Sequence, residues 1–351
     1  MDLRSDLWID KTVLVTGHTG FKGSWLCFLL EKLGAKVIGL SLEAKGPNSL
    51  YLDANVSSLL ESEYIGDIRD TQYVDQIFEN HNIEYVYHLA AQALVRDSIR
   101  NPLTSISTNV IGTSNVLLSA LKSKSVIGIT LVTTDKVYSN HEWVWPYRES
   151  DQLGGSDPYS ASKAASELIA HAIHVSNNPR KIPVTTARAG NVIGGGDWGE
   201  ERLVPDLVNA IKNSKELQIR NPTALRPWQY ILDCLTGYLL IGQAHLGKAT
   251  DVPTSLNFGP RYSLGVLELI KLFSSHFESN CQINLVDAEY LEHGRLVLDS
   301  HLSESYLGWT PRYSIEESVE RTAFWYRGFL AGTDASILVN DEIDIFYKGM
   351  L

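Results

Sequence analysis

Cysteine is scarce in this chain: three in 351 residues, at Cys27, Cys234 and Cys281. None forms a Cys-x-x-Cys pair or a Cys/His spacing suited to zinc, so no metal is expected. An odd number leaves at least one thiol unpaired, and each reads as a small buried apolar side chain kept reduced in a cytoplasm. Basic residues are also in the minority, 30 Lys and Arg against 41 Asp and Glu, for a formal net charge of −11. Such acidity argues against nucleic acid or an anionic membrane as partner, since both are polyanions. A local gathering of Arg, Lys and backbone N–H groups can still hold a small anion. No apolar run approaches the roughly 18–20 residues that span a bilayer. The opening Met1 to Asp6 has no apolar core of the kind a signal peptide needs. A soluble, cytoplasmic chain is expected.

What the sequence does contain is alternation. Lys11 to Thr16 is a short β-branched run that ends in glycines, Phe21 to Leu33 carries apolar residues at helical spacing, and Ala35 to Leu40 is a second strand. Tyr85 to Ala90, Val126 to Thr133 and Pro183 to Ala189 read as further strands. Pro102 to Leu121 reads as a helix with Ile106, Val110, Thr113 and Leu117 on one stripe, and Tyr159 to Val175 as another. Strands alternating with helices predict an α/β fold of Rossmann type, a doubly wound parallel sheet that binds ligands at the carboxyl ends of its strands. The pattern breaks after about Gly190. Residues 1–190 are expected to form the dinucleotide-binding domain, and 191–351 mainly a smaller mixed α/β substrate domain. The boundary is approximate, and the chain is free to cross back.

Three groups of residues carry chemistry. Gly17, Gly20 and Gly23, around Phe21 and Lys22, have the spacing GxxGxxG between a strand and a helix. Such a turn lets the backbone approach a pyrophosphate at a helix N-terminus. The carboxylate that usually holds the adenosine ribose is missing from the end of the second strand, which reads Leu40-Ser41-Leu42-Glu43. No Arg stands there for a 2′-phosphate either, so NADP is not favoured. Asp67, followed by Ile68, is placed to hold the adenine, or else to cap a turn. Tyr159 and Lys163 are one helical turn apart on one face, where an ammonium lowers a phenol's pKa and lets it take a hydroxyl proton as hydride leaves the carbon. Thr134, Asp135 and Lys136 end a strand. The threonine can bind a sugar oxygen, and the other two are an acid and base candidate for eliminating water beside a ketone.

The segments GHTGFKGSW, HLAAQ, TTDKVY, YSASK, ARAGNVIGGGDW and RNPTALRPWQ occur in order, from about Lys11 to Tyr326. Together they resemble the CDP-glucose 4,6-dehydratases of the extended short-chain dehydrogenase/reductases. GxxGxxG and YxxxK mark only the superfamily; the Thr-Asp-Lys triplet with GNVIGGGDW and RPWQ is more specific. The resemblance implies NAD as cofactor, with Leu89, Ala90 and Ala91 lining its site beside the Gly-rich turn. It implies that hydride leaves C4 of the glucose of CDP-glucose with Tyr159 as base, Lys163 supporting it and Thr134 orienting the 4-oxygen. Asp135 then protonates the departing C6 hydroxyl, and Lys136 removes the C5 proton where related dTDP-glucose dehydratases carry a Glu. Lys136 must be neutral for this, and burial beside the nicotinamide cation and Lys163 is expected to make it so. On the substrate side the resemblance points to Arg96 and Ser98 as walls, Asn191 and Arg226 as diphosphate contacts, and Asn109 as a fixer of catalytic geometry. It also implies a homodimer, or a larger assembly built on one, through the helices at Pro102 to Leu121 and Tyr159 to Val175. An epimerase or a dehydratase for another nucleotide sugar shares most of these features. A non-enzymatic nucleotide-sensing relative is expected to lack the Tyr or the Lys. No residue reads cytosine from the sequence alone.

Overall fold

The computed structural model describes residues 3–44, 46, 48–249, 251–277, 281–286 and 294–348. Seven strands build one parallel sheet: β1 (Thr12–Thr16), β2 (Lys36–Ser41), β3 (Ser62–Ile65), β4 (Tyr85–His88), β5 (Gly128–Val132), β6 (Val184–Ala189) and β11 (Ser255–Phe258). Their spatial order is β11-β6-β5-β4-β1-β2-β3, so the order reverses between β1 and β4. In a doubly wound sheet this switch point opens a crevice at the strands' carboxyl ends. β5 and β6 are buried along their whole length, as strands covered on both faces must be, whereas the edge strand β3 is nowhere fully buried.

Alternate strand residues feed two cores. Val13, Val15, Tyr85 and Tyr87 face one side and pack with α1 (Phe21–Lys32) and α9 (Ile231–Leu246). Leu14, Val86, Ile129 and Leu131 face the other, covered by α3 (Thr71–Asn80), α6 (Thr113–Lys122) and α7 (Pro158–Ser176). Three short helices lie on the way, α2 (Leu50–Asp53) before α3, then α4 (Val95–Arg100) and α5 (Pro102–Ile106) before α6. The substrate side carries α8 (Leu203–Asn213), α10 (Val266–Ser275) and α12 (Ile315–Leu330). It also carries the short strands β7 (Val192–Ile193), β8 (Leu217–Ile219), β9 (Leu225–Arg226), β10 (Gln229–Tyr230), β12 (Leu264–Gly265) and β13 (Ile283–Leu285).

The chain crosses back, as the approximate boundary near Gly190 allows: β11 returns to the main sheet and pairs with β6, and α9 packs against the same layer. A stretch rich in Leu and Ile after Tyr230 was bound to be buried, and the exposed face of a parallel sheet is where it fits. The helix expected over 102–121 contains a π-helical turn, Ser107–Gly112, between α5 and α6. The wide turn shifts the stripe, so Ile106 is exposed while Ser105 and Asn109 are buried. Of the thiols, Cys27 and Cys234 are buried, but Cys281 is partly exposed; all three are free. Two C-terminal helices, α11 (His301–Leu307) and α13 (Ala335–Phe346), went unread, although Ala335, Val339, Ile343 and Phe346 recur at helical spacing and face the core. Among the described residues no helix is long and apolar enough to cross a membrane.

Candidate active site

The Gly-rich turn sits at the switch point. Gly17 has φ +80°, and a Cβ there would lie 2.8 Å from the Ala90 nitrogen; at Gly23 it would lie 2.1 Å from the Gly17 oxygen. Only glycine fits either place. No side chain caps α1 at Gly20, so its first N–H groups remain available to an anion. Across the crevice Thr16 Oγ1 accepts the N–H groups of Leu89 and Ala90 at 3.2 and 3.1 Å and bonds His88 Nδ1 at 2.7 Å, which fixes the opposite wall. Ala91 follows in the same loop. A backbone cradle that any side chain would fill, with free helix N–H groups beneath it, fits a dinucleotide pyrophosphate.

The ribose side is less well supplied. Ser41 is buried, and its hydroxyl bonds Thr19 Oγ1 at 2.7 Å. A carboxylate tied to the turn is Glu63 on β3, which leaves no local sequence signal because it stands one strand further out. It is engaged by His18 Nε2 at 2.8 Å and by the Tyr51 hydroxyl at 2.7 Å. Asp67 is held by its neighbour Arg69, whose side-chain hydrogen bonds keep it below the usual carboxylate range, and Ile68 behind it is buried. Charge-assisted bonds to ribose hydroxyls contribute about 1.5–3 kcal/mol each. Purified protein is therefore expected to lose the dinucleotide readily and to gain activity on addition of NAD⁺, less with NADP⁺. Stoichiometric dinucleotide surviving dialysis would contradict this.

At the carboxyl end of β5 the triplet turns into a short 3-10 helix, Asp135–Val137. Thr134 caps it, accepting the Lys136 N–H at 3.3 Å and donating to Asp135 Oδ1 at 2.9 Å. Asp135 is buried, and burial raises its pKa against the opposing fields of Lys136, Arg226 and Lys22 and the bond from Thr134. That suits a proton donor. Gly190, at the end of β6, leaves it room: a Cβ there would come within 3.1 Å of Asp135 Oδ2. Lys136 departs from expectation. Its side chain is exposed, so the chain alone does not supply the dry pocket anticipated for it.

Tyr159 and Lys163 share one face of α7, whose start is fixed by the Asp157 cap on Ser160 and by Pro158. Burial pushes the Tyr159 phenol up to about 12, against the lowering effect of Thr134 and Arg202. Burial draws Lys163 down to about 8, opposed by Glu167; its Nζ donates to the Val132 oxygen at 2.9 Å. The lowered phenol expected from the Tyr-Lys spacing is therefore not found in the chain by itself, because desolvation outweighs the influences that favour the phenolate. Lys22 belongs to the same field: its Nζ reaches Tyr238 Oη at 3.4 Å and its charge acts on both Asp135 and Lys163.

The residues expected on the substrate side divide. Ser98 is fully buried, donates to the Val95 oxygen at 2.5 Å and accepts the Tyr159 N–H at 3.0 Å. Asn109, in the π turn, accepts the Gln92 N–H at 2.8 Å and donates to Ser162 Oγ at 2.9 Å, which in turn donates to the Tyr159 oxygen. Both therefore hold the backbone of Tyr159 from behind. Arg96 pairs with Glu201 at 2.9 Å. Arg226 donates to the Leu225 and Gly294 oxygens and lies close enough to act on Asp135. Asn191 is partly exposed, one residue beyond Gly190, and its oxygen accepts the Gln229 N–H.

A dinucleotide cradle opening onto a tyrosine–lysine helix defines an extended short-chain dehydrogenase/reductase. Comparison narrows the class: the GDP-mannose 4,6 dehydratase family matches residues 14–322, and the chain belongs to it. A CDP-glucose 4,6-dehydratase of Salmonella typhimurium is 39% identical over 347 residues, covering 96% of each chain. A dTDP-glucose 4,6-dehydratase of Streptomyces venezuelae, solved with NAD bound, is 26% identical with a TM-score of 0.79, covering 92% of this chain and 99% of its own. A UDP-glucose 4-epimerase of Thermotoga maritima, with UDP-glucose, reaches 0.80 at 25% identity, covering 91% and 99%. Dehydratase and epimerase thus share this fold, while the family model and the 39% identity favour the dehydratase.

Proposed function

We propose that the chain is an NAD-dependent nucleotide-sugar 4,6-dehydratase and that its substrate is CDP-glucose. The observation that carries the reading is Asp135, a carboxyl group buried and biased towards its neutral form, joined to Thr134 beside Tyr159. An epimerase needs no acid there. When bound, NAD supplies the hydride acceptor for C4 and the donor for C6. Tyr159 takes the proton from the 4-hydroxyl, and Thr134 orients that oxygen. The ketone acidifies C5; Lys136 removes the C5 proton, and Asp135 gives its proton to the C6 hydroxyl, which leaves as water. With the hydride restored to C6 and the proton given back to C5 by Lys136, the product is the 4-keto-6-deoxy sugar, with no net redox change. Arg226 and Asn191 take the diphosphate, a role that suits a guanidinium. The cytosine base rests on the 39% relative.

Incubation with CDP-, dTDP-, UDP- and GDP-glucose, read by mass spectrometry, tests this. Loss of water from CDP-glucose is expected; isomerisation without mass change would make the chain an epimerase. The working form is a cytoplasmic homodimer. Leu103 (79% exposed), Ile106 and Ile111 on one helical run and Leu168 and Val175 (70%) on α7 form an apolar surface that a second copy can cover. A monomeric mass in light scattering at micromolar concentration would refute the dimer.

A further inference from the structure

Behind the catalytic strand end lies a polar network that the reaction as described does not use. Glu167 is one turn beyond Lys163 on α7, and Arg188 is on β6; both are about 4% exposed. Arg188 Nε reaches both Glu167 oxygens at 3.1 and 3.0 Å, and its Nη2 reaches Oε2 at 2.6 Å. Thr133, next to Thr134, donates to Glu167 Oε1 at 2.5 Å. Arg188 Nη1 donates to the Tyr138 hydroxyl at 2.7 Å, and that hydroxyl donates to Asn257 Oδ1 on β11, also at 2.7 Å. The guanidinium also lies 4.9 Å from the centre of the Tyr138 ring. The triplet Thr134-Asp135-Lys136 is therefore flanked on both sides, at Thr133 and at Tyr138, by residues tied to one buried ion pair. That pair stands on the helix carrying Tyr159 and Lys163.

We propose that Glu167 and Arg188 are positioning residues that set the acid–base triplet at the end of β5 in register with the Tyr159–Lys163 face of α7. The inference rests on the assignment of those two groups to the site. A buried ion pair is a poor device for stability alone, since desolvating both charges offsets most of their attraction; well-packed apolar replacements are often as stable. Its geometry here is bidentate and joins three strands to one helix, which is what alignment of two separately carried sets of groups needs. An error near 1 Å in such alignment costs about 100-fold in rate.

The pair also reaches the ammonium. The charged groups acting on Lys163 are Glu167 from α7, which favours its charge, and Lys22 from α1, which opposes it. His88 on β4 faces it too but is held neutral by burial, and Arg188 lies on the far side of Glu167, neutralising it in part. Removing the Glu167 charge withdraws the favourable influence, so the pH above which Lys163 loses its proton moves down.

Three variants test this. Glu167→Gln keeps the shape and strands a buried guanidinium; Glu167→Gln with Arg188→Met removes both charges; Thr133→Val cuts only the link from the strand. The double variant is expected to regain melting temperature relative to the single one, yet to keep a kcat about 100-fold low, with the nucleotide-sugar KM and NAD⁺ affinity near the parent's. Its alkaline limb should fall at lower pH than the parent's. Thr133→Val should lower kcat by up to about 10-fold without moving that limb, tenfold being about 1.4 kcal/mol and near the most one such bond contributes. Recovery of parent kcat and pH profile in the double variant would overturn the proposal, as would parent kcat in Thr133→Val. Failure of the underlying site assignment shows separately, as undiminished turnover in Tyr159→Phe.

Discussion

Tyr159→Phe should lower turnover by about 10²–10⁴-fold while nucleotide-sugar binding survives. The substitution removes one oxygen and leaves the ring, the Ser98 bond to its N–H and the start of α7 intact. The phenol needs help from the bound cofactor to act as a base. Burial holds it at about 12 in the unliganded chain, and bringing it near neutrality is roughly five units, or about 7 kcal/mol at about 1.36 kcal/mol per unit. Thr134 and Arg202 already act on the phenol at that value, so the further shift must come from positive charge that arrives with the cofactor, the nicotinamide cation. The phenol is raised, so its base form grows as pH rises; bound NAD⁺ should bring that rise to lower pH. A spectroscopic titration of Tyr159, taken as the difference between parent and Tyr159→Phe, should therefore shift down on adding NAD⁺. Undiminished turnover in Tyr159→Phe would remove Tyr159 from the reaction.

How much of this could be read beforehand depends on how local the physics is. The Gly-rich turn was legible because its constraint is backbone geometry: Gly17 and Gly23 are glycines for steric reasons contained in a few consecutive residues. The helix of Tyr159 and Lys163 was legible for the same reason, through its spacing and its Asp157-Pro158 start. The resemblance makes Ser98 a wall and Asn109 a fixer of catalytic geometry, but the partners through which they act are 61 and 53 residues away in sequence, at Tyr159 and Ser162. Nothing in a local pattern reveals that a serine's hydroxyl is already occupied. The π turn that points Asn109 inward left no sequence signal beyond a polar residue on an apolar stripe. Glu167 and Arg188 escaped notice likewise: a Glu on a helix and an Arg in a strand ordinarily face water. Only the packing of α7 on β5 and β6 brings them together out of solvent. The electrostatic expectations fared unevenly. The acid role that the resemblance gives Asp135 agrees with a carboxyl group raised by burial; a buried Lys136 is not found, because solvent access is decided by surrounding loops and by ligands rather than by sequence neighbours.

Lys136 is therefore where the mechanism is most exposed to test. Lys136→Ala should preserve oxidation at C4 and stop elimination, so that a 4-keto-glucose nucleotide builds up and exchange of the C5 proton into deuterated water ceases. The acid partner should not suffer. Of the influences that favour the ionised form of Asp135, the field of Lys136 is the largest, so taking it away leaves burial less opposed and the carboxyl group more firmly protonated. A block seen in Lys136→Ala is thus assignable to loss of the base and not to loss of the acid. Lys136→Glu sharpens the point. A carboxylate at this place is a base at neutral pH without desolvation, and its negative charge raises its acidic neighbour further. C5 exchange and water loss should therefore return, at least in part, in Lys136→Glu while staying absent in Lys136→Ala. Exchange at the parent rate in Lys136→Ala would place the base elsewhere. Exchange absent from both variants would mean that position 136 must carry a cation, so that Lys136 steadies negative charge developing on the sugar instead of taking its proton.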